Sequence, residues 1–451
     1  MKLYSAYKDL GIEWLGKSPS NWDLKKLKFN ASVKFSSVDK KTEEGEQAVR
    51  LCNYVDVYYN DVITPHMDFM EATASPEEIR KFRLKAGDVL VTKDSEEWDD
   101  IAIPAYVGSD FSNVICGYHL AQIRPNVEAI NGKFLFYLFE SYRVNYQFKV
   151  EATGVTRYGL SNYALSNALI VIPPVQDQEA IVGYLDRKTA QIDALIAKKE
   201  RMMELLREER AAIVSQVVTK GLNPKAEMKD SGIDWLGTIP KHWDMKKLKF
   251  NAAVQFSNVN KKSEDGESSV RLCNYVDVYY NDFITPDLEF MEATASPEEI
   301  NKFHLRIGDV LLTKDSEEWN DIAIPAYMTF EAPDLICGYH LAQVRPQKKV
   351  LLGKYLFWLL SANCINYQFQ IEASGVTRYG LSNYALSNSL CLIPPEKEQE
   401  AIAIFLDKKT AQIDDQVTRA QKSIELLKEY RTSLISEVVT GKIDVRERSD
   451  V

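Results

Sequence analysis

The residues of this chain best suited to chemistry lie in four short polar stretches. In E-A-T-G-V-T-R-Y-G-L-S-N (151–162), Gly154 and Gly159 bracket Thr156, Arg157 and Tyr158. Glycines so placed suit a tight turn that holds a guanidinium and an aromatic ring in water. A guanidinium presented that way fits a phosphate or a guanine edge. R-L-C-N-Y (50–54) supplies Arg50, Asn53 and Tyr54, residue types that touch base edges or phosphates. Lys93 and Ser95 begin the polar loop K-D-S-E-E-W, and Tyr118 and His119 stand in I-C-G-Y-H-L-A-Q-I-R-P (115–125). Each also has a plainer account: a turn with a solvated arginine, a strand with a buried tyrosine, a histidine that only hydrogen-bonds.

Catalysis finds less support. Asp94, Glu96, Glu97, Asp99 and Asp100 fall in one run. A metal nuclease instead needs carboxylates that converge with a lysine around the ion, commonly from different strands. His119 has no second ligand at metal-binding spacing. The chain has no G-x-x-x-x-G-K-[ST], no G-x-G-x-x-G after a strand, and no N-P-P-Y or D-P-P-Y. G-x-S-x-G and H-E-x-x-H are missing too. The residues therefore argue against an enzyme acting alone and against a metal site.

These stretches need a scaffold, and local signals supply one. Residues 50–61 alternate as a strand closed by an Asn-Asp turn. Ser75 followed by Pro76 marks a helix start. Gly87 turns into a buried strand at Val89–Val91, and 115–125 reads as a strand with Tyr118, His119, Gln122 and Arg124 as polar projections. The apolar run F-L-F-Y-L-F-E-S (134–141) predicts a buried helix. Near the start, Trp14, Leu15, Trp22 and Leu24 are core candidates, while Lys25, Lys26 and Lys28 suit a solvated strand face better than a phosphate site.

Everything so far occurs twice. A shift of 221 residues maps Trp14 on Trp235, Leu51 on Leu272 and Gly154 on Gly375 without a gap. The candidates recur as Arg271, Asn274, Tyr275, Lys314, Ser316, Tyr339, His340, Thr377, Arg378 and Tyr379. Each copy ends in a proline pair, Pro173-Pro174 and Pro394-Pro395, followed by a long proline-free stretch. Its apolar residues recur at three and four, which predicts one stripe of a helix on the order of 50–60 Å long. Ile192, Leu195, Leu206 and Ile213 would form the first stripe, and Ile413, Ile424, Leu427 and Leu434 the second. A helix that long needs a partner, and the second copy provides it.

The 451 residues carry a net charge of −10, which weighs against a stand-alone nucleic-acid binder. A local basic face can still coexist with acidic helices, and an acidic exterior suits docking to more basic subunits. Six cysteines without C-x-x-C spacing suggest reduced thiols in the cytoplasm. No apolar run approaches membrane-spanning length, and the N-terminus lacks the apolar core of a signal peptide.

The pattern G-V-T-R-Y-G-L-S…I-P-P…Q-E-A-I…L-D-x-K-T-A-Q-I-D, present twice and each time closed by a long helix, resembles the specificity subunit of type I restriction–modification systems. The resemblance implies an α+β chain in tandem repeat, with target-recognition domains at 1–174 and 223–395. Spacer helices at 175–222 and 396–445 would form an antiparallel coiled coil, leaving a tail at 446–451. It further implies double-stranded DNA as ligand, two methyltransferase (modification) subunits docked on the helices, and motor/endonuclease (restriction) subunits. Those partners would bring S-adenosylmethionine, ATP and Mg²⁺, and the chain itself would bind no cofactor.

The chain departs from that family's usual pattern, in which the two recognition domains differ strongly. Here 50–61 equals 271–282, 92–98 equals 313–319, and 154–167 equals 375–388. The expectation is a bipartite, nearly palindromic target. Exchanges at His66/Asp287, Arg80/Asn301, Arg83/His304, Asp99/Asn320 and Lys149/Gln370 are where half-sites would differ, unless they are neutral drift.

Overall fold

The computed structural model describes residues 2–39, 41–260, 264 and 266–446. It divides into two units: residues 1–200 with 422–451, and residues 201–421. The boundaries differ from those drawn on the sequence. Each unit takes one globular part and a half of both long helices, because each helix half is buried against the globular part beside it.

In the first unit, a five-stranded sheet runs in the order Ala31–Phe35, Leu120–Pro125, Val89–Thr92, Pro104–Val107, Val62–Ile63. Its pairs are antiparallel except the last. A three-stranded sheet places Gln47–Cys52 between Val114–Cys116 and Met70–Ala74. Val89, Leu90 and Val91 are fully buried, as a continuous apolar run between turns requires. The aromatic helix forms at Gly132–Glu140 and buries Phe134 to Phe139. Ser75 caps Pro76–Phe82, accepting from the Glu78 N–H at 3.3 Å while Glu78 reaches back to the Ser75 N–H at 3.1 Å.

Three local readings are corrected. The strand predicted over 50–61 stops at Cys52, and Tyr54–Tyr58 is a short helix. Asn53 turns the chain there: its N–H donates to the Asp56 carboxylate at 2.6 Å, a cap that outweighs the strand-like alternation. The strand predicted over 115–125 is two strands, broken at Gly117-Tyr118-His119, because the Gly117 N–H is drawn to the Cys52 carbonyl at 2.9 Å. Gln122 and Arg124 do not project freely. Both bind the buried Asp88, with Arg124 bidentate at 2.7 and 2.6 Å.

The second unit repeats every one of these elements 221 residues later, from Ala252–Phe256 to Leu390–Ile393.

The long helices span Val175–Lys220 and Glu396–Val439. The second is shorter than expected because Gly441, at φ +75°, turns the chain; a Cβ there would lie 2.3 Å from Pro19. Ile192, Ile413, Ile424 and Leu434 are buried as expected, with Leu206, Ile213 and Leu427 half-buried. Leu195 is 43% exposed, and Ile196 takes its place in the stripe.

In the first unit the two long helices meet through one ion pair, and the chain beyond the second helix meets the first through another. Asp193 meets Arg431 at 3.1 Å, while the earlier Asp177 meets the later Arg446 at 3.3 Å. Arg446 is the only residue of the 446–451 tail among those described. In the second unit Arg210 meets Asp414 at 3.2 Å and Glu209 meets Lys409 at 3.9 Å. No helix among the described residues is long and apolar enough to cross a membrane.

Candidate nucleic-acid interface

The glycine-bracketed loop is a hairpin. Thr153 and Gly159 exchange backbone hydrogen bonds at 3.1 and 2.9 Å, and Val155, Thr156 and Arg157 form its exposed tip. Val155 is 93% exposed, an unusual position for a valine. Gly154 sits at φ +152°, where a Cβ would lie 1.9 Å from the Arg157 carbonyl oxygen. No other residue closes this turn unchanged.

What the sequence did not reveal is where the hairpin sits. Tyr158–Gly159 pairs antiparallel with Asp94–Ser95, and the Leu160 N–H donates to the Lys93 carbonyl at 2.8 Å. Two loops some sixty residues apart thus become one surface. Beyond them lies the Tyr54–Tyr58 helix, with Tyr54 and Tyr58 stacked at 5.3 Å and Tyr59 edge-on to Tyr58 at 4.9 Å. The Tyr58 hydroxyl donates to Asp100 at 2.7 Å, and this bond, ahead of burial, holds the phenol protonated up to about 12. Burial first, then Asp100, also raises Tyr54, while Ser95 and the nearby Arg157 pull it down.

On the other side, His119 Nδ1 lies 2.8 Å from Asp94 and its ring meets Tyr118 edge-on. Lys93 places its ammonium 4.5 Å from the Tyr118 ring centre, a cation–π contact that fixes both. Asn53, Tyr54, Tyr118 and His119 line one hollow of about 290 Å³ with Asp39 and Lys41. Residues predicted from four separate stretches therefore converge.

The second unit shows the same arrangement around Arg378. A cleft of about 660 Å³ is lined by Tyr275, Val276, Tyr279, Tyr280, Ser316, Glu317, Glu318, Asn320, Asp321 and Arg378. Thr377 is exposed at the hairpin tip, Tyr379 pairs with Ser316, His340 lies 2.8 Å from Asp315, and Lys314 lies 4.6 Å over Tyr339. One guanidinium among three carboxylates is a poor cradle for phosphate. It suits a base edge, where carboxylates accept from amino groups and arginine donates to guanine.

Some predicted residues play a different part. Ser95 and Ser316 are 4% and 5% exposed; each is buried in the two-stranded pairing beneath the hairpin. Arg50 donates to Asn113 at 3.2 Å, and Arg271 binds Asp334 through two bonds at 2.7 and 2.9 Å. Both arginines lie on the central strand of the small sheet and brace its neighbour. The carboxylate run is divided among protein partners, Asp94 to His119 and Asp100 to Tyr58. Asn274, like Asn53, caps its short helix, its N–H bonding Asp277 at 2.6 Å.

Sequence reading missed the exposed aromatics. Tyr59 and Tyr280 are both 76% exposed, and Trp98 and Trp319 stand beside the cleft at 48% and 49%. The signal was available: large aromatics repeated within polar runs.

Residues 50–204 match the type I restriction modification DNA specificity domain. The chain is 22% identical over 284 residues to the Escherichia coli K12 EcoKI specificity subunit, covering 62% of this chain and 59% of that one. It is 23% identical over 318 residues to the Methanocaldococcus jannaschii MjaVIII specificity subunit, covering 69% and 70%. Among solved structures, one from work on complex assembly and conformational transition of the type I R-M system aligns at a TM-score of 0.71 and 16% identity. That alignment covers 94% of this chain and 99% of the other. The HsdS subunit of Thermoanaerobacter tengcongensis aligns at 0.57 and 17% identity, covering 94% and 98%. Residues 50–204 thus match the DNA specificity domain, and over most of its length the chain is similar to specificity subunits of type I restriction–modification systems.

Proposed function

We propose that the chain reads a bipartite, nearly palindromic site on double-stranded DNA, each unit taking one half-site through its hairpin, tyrosine helix and histidine loop. The observation that carries this is the strand pairing that joins the Arg157 hairpin to the Lys93–Ser95 loop, with Tyr54 near Arg157, and its recurrence around Arg378. Arg157 and Arg378 would make direct base contacts, Lys93 and Lys314 would hold the flanking backbone, and the tyrosines would pack on sugar and base edges. The long helices would form an antiparallel coiled coil that spaces the units, a reading supported by the Asp193–Arg431 ion pair between them. Pseudo-twofold helices would invert the half-sites relative to each other.

On this reading the chain is non-catalytic. Two adenine methyltransferase subunits would dock on the helices and bring S-adenosylmethionine. A motor subunit would add ATP- and Mg²⁺-dependent cleavage, and the assembly would work in the cytoplasm. The net charge of −10 favours one other reading: a scaffold or decoy that competes for the methyltransferase without reading DNA.

The complex of this chain with its methyltransferase should bind its target duplex, and Arg157→Ala with Arg378→Ala should weaken binding at least ~100-fold, since each charge-assisted contact contributes about 1.5–3 kcal/mol. Thermal unfolding should not change, because both side chains are exposed. Equal binding by the variant would favour the scaffold reading.

A further inference from the structure

The cleft residues of the second unit can be compared one by one with their counterparts 221 positions earlier. Tyr275, Val276, Tyr279, Tyr280, Ser316, Glu317, Glu318, Asp321 and Arg378 all recur; only Asn320 is changed, to Asp99. A second exchange touches the same point. Gln370 donates to the Asn320 carbonyl at 3.2 Å and to Asn366 at 3.1 Å, and its counterpart is Lys149. The two exchanges are thus neighbours, and together they are neutral: a carboxylate and an ammonium in one unit, two amides in the other. The other exchanges noted in the sequence lie elsewhere. Asn301 lies in the helix Pro297–Phe303 and His304 caps its end, its Nδ1 3.1 Å from the Asn301 carbonyl. Asp39, replaced by Asn260, turns its carboxylate back on its own loop, accepting from the Lys41 N–H at 2.9 Å.

From this placement we infer that Asp99 and Asn320, the latter braced by Gln370, make the two half-sites differ at one base. The inference rests on the DNA-reading function proposed above. A carboxylate only accepts hydrogen bonds, so Asp99 selects an amino donor in the major groove, cytosine N4. An amide both donates and accepts, so Asn320 selects the paired N6 and N7 of adenine. Everything else lining the cleft is shared, so the rest of the two half-sites should match.

The test is genome-wide mapping of N6-methyladenine in cells carrying this chain with its own methyltransferase subunits. The expected motif has inverted half-sites that match except for one position, cytosine in one and adenine in the other. Asp99→Asn with Lys149→Gln should make them identical, switching the base preference at that position by at least ~10-fold. Asn320→Asp with Gln370→Lys should do the reverse. Folding is not at issue, since each unit already carries the other's residues on an equivalent backbone. A wild-type motif with identical half-sites, or a variant motif unchanged from wild type, overturns this inference and leaves the DNA-reading function standing. Methylation of no bipartite motif by a verified wild-type complex sinks both.

Discussion

The two units present nearly the same exposed hairpin and cleft on different foundations. In the first, Arg431 of the C-terminal helix joins three carboxylates: Asp61 at 2.7 Å, Glu140 at 3.0 Å and Asp193 at 3.1 Å. Its counterpart in the second, Arg210, meets Asp282 and Asp414, but Ser361 replaces Glu140 and donates to the Phe357 carbonyl at 2.8 Å. Nearby, Tyr137 donates to Asp186 at 2.7 Å, where Trp358 donates to Asp407 at 2.9 Å. The interior thus tolerates exchanges that keep its polar groups hydrogen-bonded, while the exposed hairpin keeps the same atoms and the cleft differs only at Asp99 against Asn320. Packing asks only that space be filled and polar groups be paired; reading a ligand asks for particular donors and acceptors in particular places.

The largest test of that contrast is at the arginines. Arg431→Ala should destabilise the first unit by about 3–5 kcal/mol, because it strands the largely buried Glu140 carboxylate. Arg210→Ala should cost only about 1 kcal/mol, since Asp282 and Asp414 are half-exposed. Amide exchange in Gly132–Glu140 and Gly353–Ser361 would report each unit separately. Equal losses would show that Glu140 does not distinguish them.

Burial, reinforced by Asp61 and opposed by Arg431, pushes Glu140 up to about 7 from its ordinary value of 4.5. The folded first unit therefore holds a proton that the unfolded chain has released at intermediate pH. Its stability should fall as pH rises from about 4.5 through about 7, by about 3 kcal/mol, and then level off. Urea denaturation of wild type against Glu140→Gln over that window should show the slope vanish in the variant. A slope that persists would assign it to another group.

Smaller effects concern the hairpin. Gly154→Ala should cost about 2 kcal/mol locally, since both the strained φ and the Arg157 carbonyl oppose a Cβ. It should displace Arg157 and abolish reading of one half-site, while Gly375→Ala abolishes the other. Methylation protection of each half-site would separate them.

The smallest effect lies at the buried tryptophans. Trp243 donates to Glu398 at 2.8 Å, whereas the Trp22 Nε1 has no hydrogen-bond partner among the described residues. The counterpart of Glu398 is the shorter Asp177, which faces Arg446. Asp177→Glu should reach Trp22 and add up to about 1 kcal/mol, read as a small rise in Tm. No rise would mean that the Arg446 pair holds the longer side chain away.

Composition, repetition and spacing were enough to determine that the chain is two copies of one unit, that each ends in a long helix, and that Arg157 and Arg378 stand on tight exposed turns. Those are local or self-comparative facts: glycine at positive φ, proline before a helix, one offset that maps copy on copy. Tertiary structure alone decided which polar residues share a surface. Ser95 carries the same kind of hydroxyl as Thr156, yet strand pairing buries one and exposes the other. Arg50 and Arg157 carry the same guanidinium, yet Asn113 occupies one while the other lies exposed at a hairpin tip. A side chain's availability depends on what the fold brings against it from a distance, and nothing within a few residues of Ser95 or Arg50 encodes that encounter.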